Sequence, residues 1–150
     1  MPRTLLLAPI ALSALFLAGC GGSGTGTEAL AALDTVRWGQ ASCGTLKEGV
    51  TFRLEYMVGA EAQGTDELTI TGDKADCTNC AKEGLTVSEI GCYENAPGHF
   101  ALKVSMTKPD GGASRYWKGE VMNGVFSGSS MVSLPDGSSQ EYSFTGRAVK

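Results

Sequence analysis

Histidine occurs once in this chain, at position 99. A multi-histidine metal site is therefore excluded, and any Ser-His-Asp or Cys-His nucleophile would have to be built around that one side chain. Basic residues are also few: 12 Lys and Arg stand against 16 Asp and Glu, a net charge of −4. They form no cluster, so nothing in the sequence offers phosphates a landing strip, and no nucleic-acid partner is expected. The carboxylates are scattered, with no spacing that singles out a pair for glycoside chemistry. No cofactor or metal is implied, no catalytic residue stands out, and a non-enzymatic protein is expected. What is present, 150 residues with 42% hydrophobic content and 21 glycines, fits one modest globular unit.

Long apolar runs are missing too, except at the start. Arg3 is the only charge before Glu28, and it precedes a run from Leu5 to Leu17 broken only by Ser13. That is the n-region and h-region of an export signal, and it is shorter than the roughly 20 residues of a spanning helix. The segment closes with Leu17-Ala18-Gly19-Cys20, which resembles the lipobox of bacterial lipoproteins at all four positions. The resemblance implies cleavage after residue 19, a triacylated Cys20, and attachment to a membrane of the cell envelope. Gly21 stands where an Asp would resemble an inner-membrane retention signal, so the outer membrane is favoured in a host with two membranes. Two or three acyl chains hold a protein to a bilayer durably, at about 0.8 kcal/mol per buried methylene. Removing Arg3 with the signal leaves 11 basic against 16 acidic residues, so the acidic body gains nothing from an anionic bilayer. Residues 1–19 thus read as signal peptide, 20–27 as lipidated cysteine and Gly-rich linker, and 28–150 as a single β domain.

The linker Gly21-Gly22-Ser23-Gly24-Thr25-Gly26-Thr27 has no side chain that packs a core and behaves as a flexible coil averaging roughly 15 Å. Thr25 and Glu28 match a capping box, and Leu30, Leu33 and Val36 follow at helical spacing until Gly39, which predicts a short helix over 27–37. Beyond it the period changes to two. Val50, Phe52, Leu54, Tyr56 and Val58 alternate with polar residues, as do Phe100, Leu102, Val104 and Met106. Asn123-Gly124 predicts a type I′ hairpin, with Met122 opposite Val125, Val121 opposite Phe126, Gly119 opposite Gly128 and Trp117 opposite Ser130. The face carrying Trp117, Val121 and Phe126 should be buried, with the indole over the glycine pair. Pro109-Asp110-Gly111 and Pro135-Asp136-Gly137 spell the same turn, and the likeness continues into Tyr116 and Tyr142. Strands are expected near 50–59, 66–72, 85–91, 99–107, 114–122, 125–134 and 140–149, with an eighth near 36–42. That pattern means an all-β protein, either an antiparallel β-sandwich or a small meander β-barrel.

With Cys20 lipidated, Cys43, Cys77, Cys80 and Cys92 remain, an even number in an oxidising compartment. Four cysteines permit three connectivities. Cys43 with Cys92 and Cys77 with Cys80 is preferred, because C-x-x-C can close locally while the long pair staples the early segment to the sheet. The sharper alternative makes Cys77 and Cys80 a redox dithiol or half of a metal site. A redox pair normally opens a helix after a strand, yet only three residues separate Cys80 from Gly84, too few to predict a helix there.

Weaker binding candidates are His99, at the start of a strand and expected to be exposed, and Arg115 with Tyr116. Gly112-Ala113-Ser114-Arg115-Tyr116 is similar to the inhibitory loop of small lysozyme-inhibitor lipoproteins, which would imply a surface protein acting on lysozyme. Trp38, Tyr93, Tyr116, Trp117 and Tyr142 are read as core before platform. The leading expectation is a lipid-anchored β domain, on the periplasmic or surface face of the envelope, that binds a protein, glycan or small ligand or supports the envelope.

Overall fold

The computed structural model describes Leu30 and residues 43–149. The signal segment, Cys20, the linker, Trp38, the expected strand near 36–42 and all but one residue of the expected helix over 27–37 lie outside the described residues. Leu30 itself is helical.

Eight antiparallel strands form one sheet, nearly closed into a barrel, which selects the barrel over the sandwich. They are β1 (Val50–Val58), β2 (Glu61–Thr71), β3 (Lys74–Cys77), β4 (Thr86–Ala96), β5 (His99–Thr107), β6 (Ser114–Met122), β7 (Val125–Ser133) and β8 (Ser139–Val149). Neighbours run β3-β2-β1-β8-β7-β6-β5-β4, so paired strands are consecutive in sequence except β1 with β8, and the connection from β3 to β4 joins the two edges of the sheet. Two short helices complete the described residues, α1 (Gly44–Lys47) and α2 (Thr78–Glu83).

Chain alternation explains the core. Phe52, Leu54, Leu68, Leu102, Val104, Trp117 and Phe126 are wholly buried, and they fall on one phase of their strands, as half-buried strands require. The β6–β7 hairpin has the expected register, including Trp117 opposite Ser130, and Asn123 and Gly124 both take positive φ, 53° and 73°. A Cβ at Gly119 or Gly128 would overlap the Ser127 or Lys118 carbonyl oxygen of the facing strand. Two side-chain-free residues therefore let β6 and β7 approach closely where the sheet bends into a barrel. The lumen is then filled by rings, with Phe126 4.7 Å from Phe144 and 5.3 Å from Phe52, centroid to centroid. Both Pro-Asp-Gly turns form alike: Gly111 N–H donates to the Lys108 carbonyl at 2.9 Å, and Gly137 N–H to that of Leu134 at 3.0 Å.

The eighth described strand is β3, a four-residue piece that alternation does not reveal. The expectation of no helix between Cys80 and Gly84 is corrected: α2 spans Thr78–Glu83, capped by Cys77 and ended by Gly84 at φ 73°. A left-handed glycine terminates it without the steric cost of a Cβ. Outside the barrel, Ala101 is wholly buried with Leu30 packed against it. Lys103 beside it is buried and ion-paired to Glu89 at 3.0 Å.

Candidate functional site at one end of the barrel

The inward phase of the strands carries polar side chains at one end of the lumen. Asp66 shares its phase on β2 with Leu68 and Ile70, and Arg115 shares its phase on β6 with Trp117 and Val121. Burial of those apolar neighbours carries the acid and the base inside. A charge so placed has to find a partner. Arg115 Nη1 donates to Asp66 Oδ2 at 2.9 Å, with 14% and 0% of the two side chains exposed. The other carboxylate oxygen, Oδ1, accepts the backbone N–H of Glu67 at 2.9 Å and of Asn79, in α2, at 3.2 Å.

Beside the pair, the Trp117 indole Nε1–H donates to the Tyr56 hydroxyl at 2.9 Å. The Arg115 guanidinium carbon lies 5.8 Å from the centroids of both rings, within cation–π range. Tyr142, from β8, meets Tyr56 edge-on at 5.9 Å. Burial pushes the Tyr56 phenol up to about 12, against the opposing pull of the Trp117 hydrogen bond and the Arg115 charge. The phenol therefore stays protonated at neutral pH. Tyr56, Arg115 and Tyr142 border a cavity of about 150 Å³ that also touches Gln63, Asn79 and Val132. The far end of the barrel holds a wider cleft of about 400 Å³ with Phe52, Phe100 and Val121 in its floor and Leu46 of α1 among its walls.

The four cysteines form the preferred pairs, Cys43–Cys92 and Cys77–Cys80. All four are buried. Arg115 Nη1 reaches to 3.9 Å from Cys77 Sγ. Among the described residues, no group of three or more His, Cys, Asp or Glu side chains is placed to hold a metal.

The three weaker binding candidates do not converge. Arg115 points into the lumen, whereas Tyr116, the next residue in an extended strand, faces outward. His99 opens β5, and its Nε2 lies 3.5 Å from Glu120 Oε2; its side chain is 23% exposed, so it is half-buried instead of free in solvent. Trp117 is core, as expected, while Tyr93 is 37% exposed. Sequence reading missed Tyr56, Asp66 and Asn79 as site residues. The signal for the first two was there: a tyrosine and an acid on the buried phase of adjacent strands, with an arginine on the buried phase of a third. Searches of protein-family models, curated proteins and solved structures return no match to this chain.

Proposed function

We propose that this chain is a lipoprotein anchored in the bacterial cell envelope through lipidated Cys20, with a β-barrel that serves as a non-enzymatic binding module. The observation that carries the reading is a lipobox followed by a barrel stapled with two disulfides, since such bonds persist in the oxidising space beyond the inner membrane. The filled lumen supports binding by ends and outer faces, because rings occupy the space an enclosed ligand would need. The partner is then a protein, a glycan or a small ligand of the envelope, met on the periplasmic or surface face. The outer membrane is favoured where two membranes exist. Membrane fractionation with metabolic palmitate labelling tests the anchor. The native chain should be labelled and sediment with membranes, and Cys20→Ala should be unlabelled. Palmitate labelling that persists in that variant, or is missing from the native chain, would overturn the proposal.

A second reading, thiol exchange at Cys77 and Cys80, draws on one specific arrangement. Cys77 ends β3 and caps α2, with the Arg115 cation 3.9 Å from its sulfur, and a nearby cation favours a thiolate. A working pair would be reduced by mild dithiol and alkylate while the fold persists. A structural pair, shielded at 2% and 0% exposure, would resist until the protein unfolds.

A further inference from the structure

We infer that the cavity bordered by Tyr56, Arg115 and Tyr142 is a binding site for a singly charged carboxylate group. The inference rests on the binding-module reading and names the ligand class for one end of the barrel. Hydrogen-bond accounting carries it. Both oxygens of Asp66 are occupied, Oδ1 by two backbone N–H groups and Oδ2 by Arg115 Nη1, so the acid has little accepting capacity left for a ligand. Arg115 has five N–H donors, of which the Asp66 contact uses one and the longer approach to Cys77 Sγ a second, and its buried Nε has no hydrogen-bond partner among the described residues. The Tyr56 oxygen already accepts from Trp117. Its own proton is therefore free to donate, and the side chain borders the cavity.

Spare donors thus stand at the cavity, on the Tyr56 hydroxyl and the remaining Arg115 N–H groups, with the unpartnered Nε buried behind them, and the complement is an acceptor-only group. A carboxylate has that chemistry and matches the planar guanidinium fork. Asp66 cancels the Arg115 charge, so a monoanion is tolerated where a phosphate dianion is opposed. Size sets the reach. About 150 Å³ corresponds to roughly five water volumes of about 30 Å³ each, enough for a carboxylate on a short stem. The source is either a small free acid or a carboxylate carried by a peptide, of which only the head group enters.

The test uses the full-length protein in detergent micelles, observed by nitrogen–proton NMR at the Trp117 indole and the Arg115 Nε–H, with the second indole assigned by Trp38→Phe. The probes are sodium acetate, sodium phosphate, sodium chloride at matched ionic strength, and a tripeptide with a free or an amidated C-terminus. Acetate or the free-terminus peptide should shift both signals saturably at about millimolar concentration. Chloride should not, nor should phosphate at about pH 8, where it is mainly the dianion. Val132→Phe, which fills the cavity without removing a hydrogen bond, should weaken binding at least about tenfold; Thr65→Phe at the exposed rim serves the same end if position 132 cannot repack. Binding of the free but not the amidated peptide identifies a chain terminus as the source, and binding of acetate alone identifies a small acid. The inference is overturned by no saturable shift with either carboxylate, by an equal shift with chloride, or by unchanged binding in a folded cavity-filling variant. The titration does not depend on lipidation, so this inference and the anchor fail separately.

Discussion

Removing one partner of the Asp66–Arg115 pair should destabilise the barrel far more than the intact pair stabilises it. At 2.9 Å, with an effective dielectric constant of about 20, the attraction is on the order of 6 kcal/mol. Desolvation of each ion costs several kcal/mol, so the intact pair contributes little net. Asp66→Asn keeps the shape and one accepting oxygen for the backbone N–H groups, but it leaves the Arg115 cation buried without its counter-charge. That should cost about 3–5 kcal/mol. Arg115→Met should cost about 3 kcal/mol, at the lower end, because the carboxylate it strands keeps two backbone N–H bonds. The double variant should be much less destabilised than the sum, with a coupling of at least about 2 kcal/mol. Urea unfolding with the disulfides intact, followed by near-ultraviolet circular dichroism and extrapolated linearly to water, measures all three. Single costs below about 1 kcal/mol, or strict additivity, would show that the two charges are solvated and that the buried-pair argument is wrong.

Alkali should destabilise the fold between about pH 10 and pH 12: the Tyr56 phenol ionises near 10 when unfolded and near 12 when folded, so the unfolded state loses its proton first. The loss, about 2–3 kcal/mol across that window, should disappear in Tyr56→Phe when unfolding is measured at several pH values. Replacing both Cys43 and Cys92 by Ala opens a closure of 49 residues and should cost about 4 kcal/mol, against under about 2 kcal/mol for the Cys77–Cys80 pair, which spans 3. Calorimetry of the two double variants gives the order, and a reversed order would refute the loop-entropy argument. Gly119→Ala should lose at least about 2 kcal/mol by overlap with the facing backbone. Gly44→Ala, with open space around its Cβ position, should change stability by less than about 1 kcal/mol; equal melting shifts for the two would contradict the close approach of β6 and β7.

Elements with strict alternation or specific turn chemistry were legible in the sequence. The β6–β7 register follows residue by residue from Asn123-Gly124, because few other dipeptides tolerate two consecutive positive φ angles. By contrast, β3 has only four residues, of which only Cys77 is buried, so no hydrophobic period marks it. The first half of β2, from Glu61 to Thr65, is exposed throughout, and pairing with the end of β1 holds it in place. Helix α2 is too short for propensity to announce; it is set by the Cys77 cap, the left-handed Gly84, and the Leu85 N–H bonded to the Cys80 carbonyl. The site was hardest to read, because Asp66 and Arg115 are 49 residues apart and only barrel closure brings them together. Reading Gly112–Tyr116 as one recognition loop missed that strand geometry sends Arg115 and Tyr116 to opposite faces.

The polarity of the barrel bears on how a tethered domain would present its site. Every strand that lines the small cavity does so at the end opposite the Asn123-Gly124 turn: Tyr56 late in β1, Gln63 and Thr65 early in β2, Arg115 early in β6, Val132 late in β7 and Tyr142 early in β8. The N-terminal side of the chain joins at the other end. Leu46 lines the wide cleft there with Asn123 and Gly124, and Leu30 packs on Ala101 near the start of β5. Nine-residue strands such as β1 and β6 separate the two ends by up to about 27 Å. Under the proposed Cys20 anchor, the end of the barrel where the chain enters would lie toward the bilayer. The small cavity, at the opposite end, would then face away from the membrane, open to a soluble acid or to the tail of a partner protein.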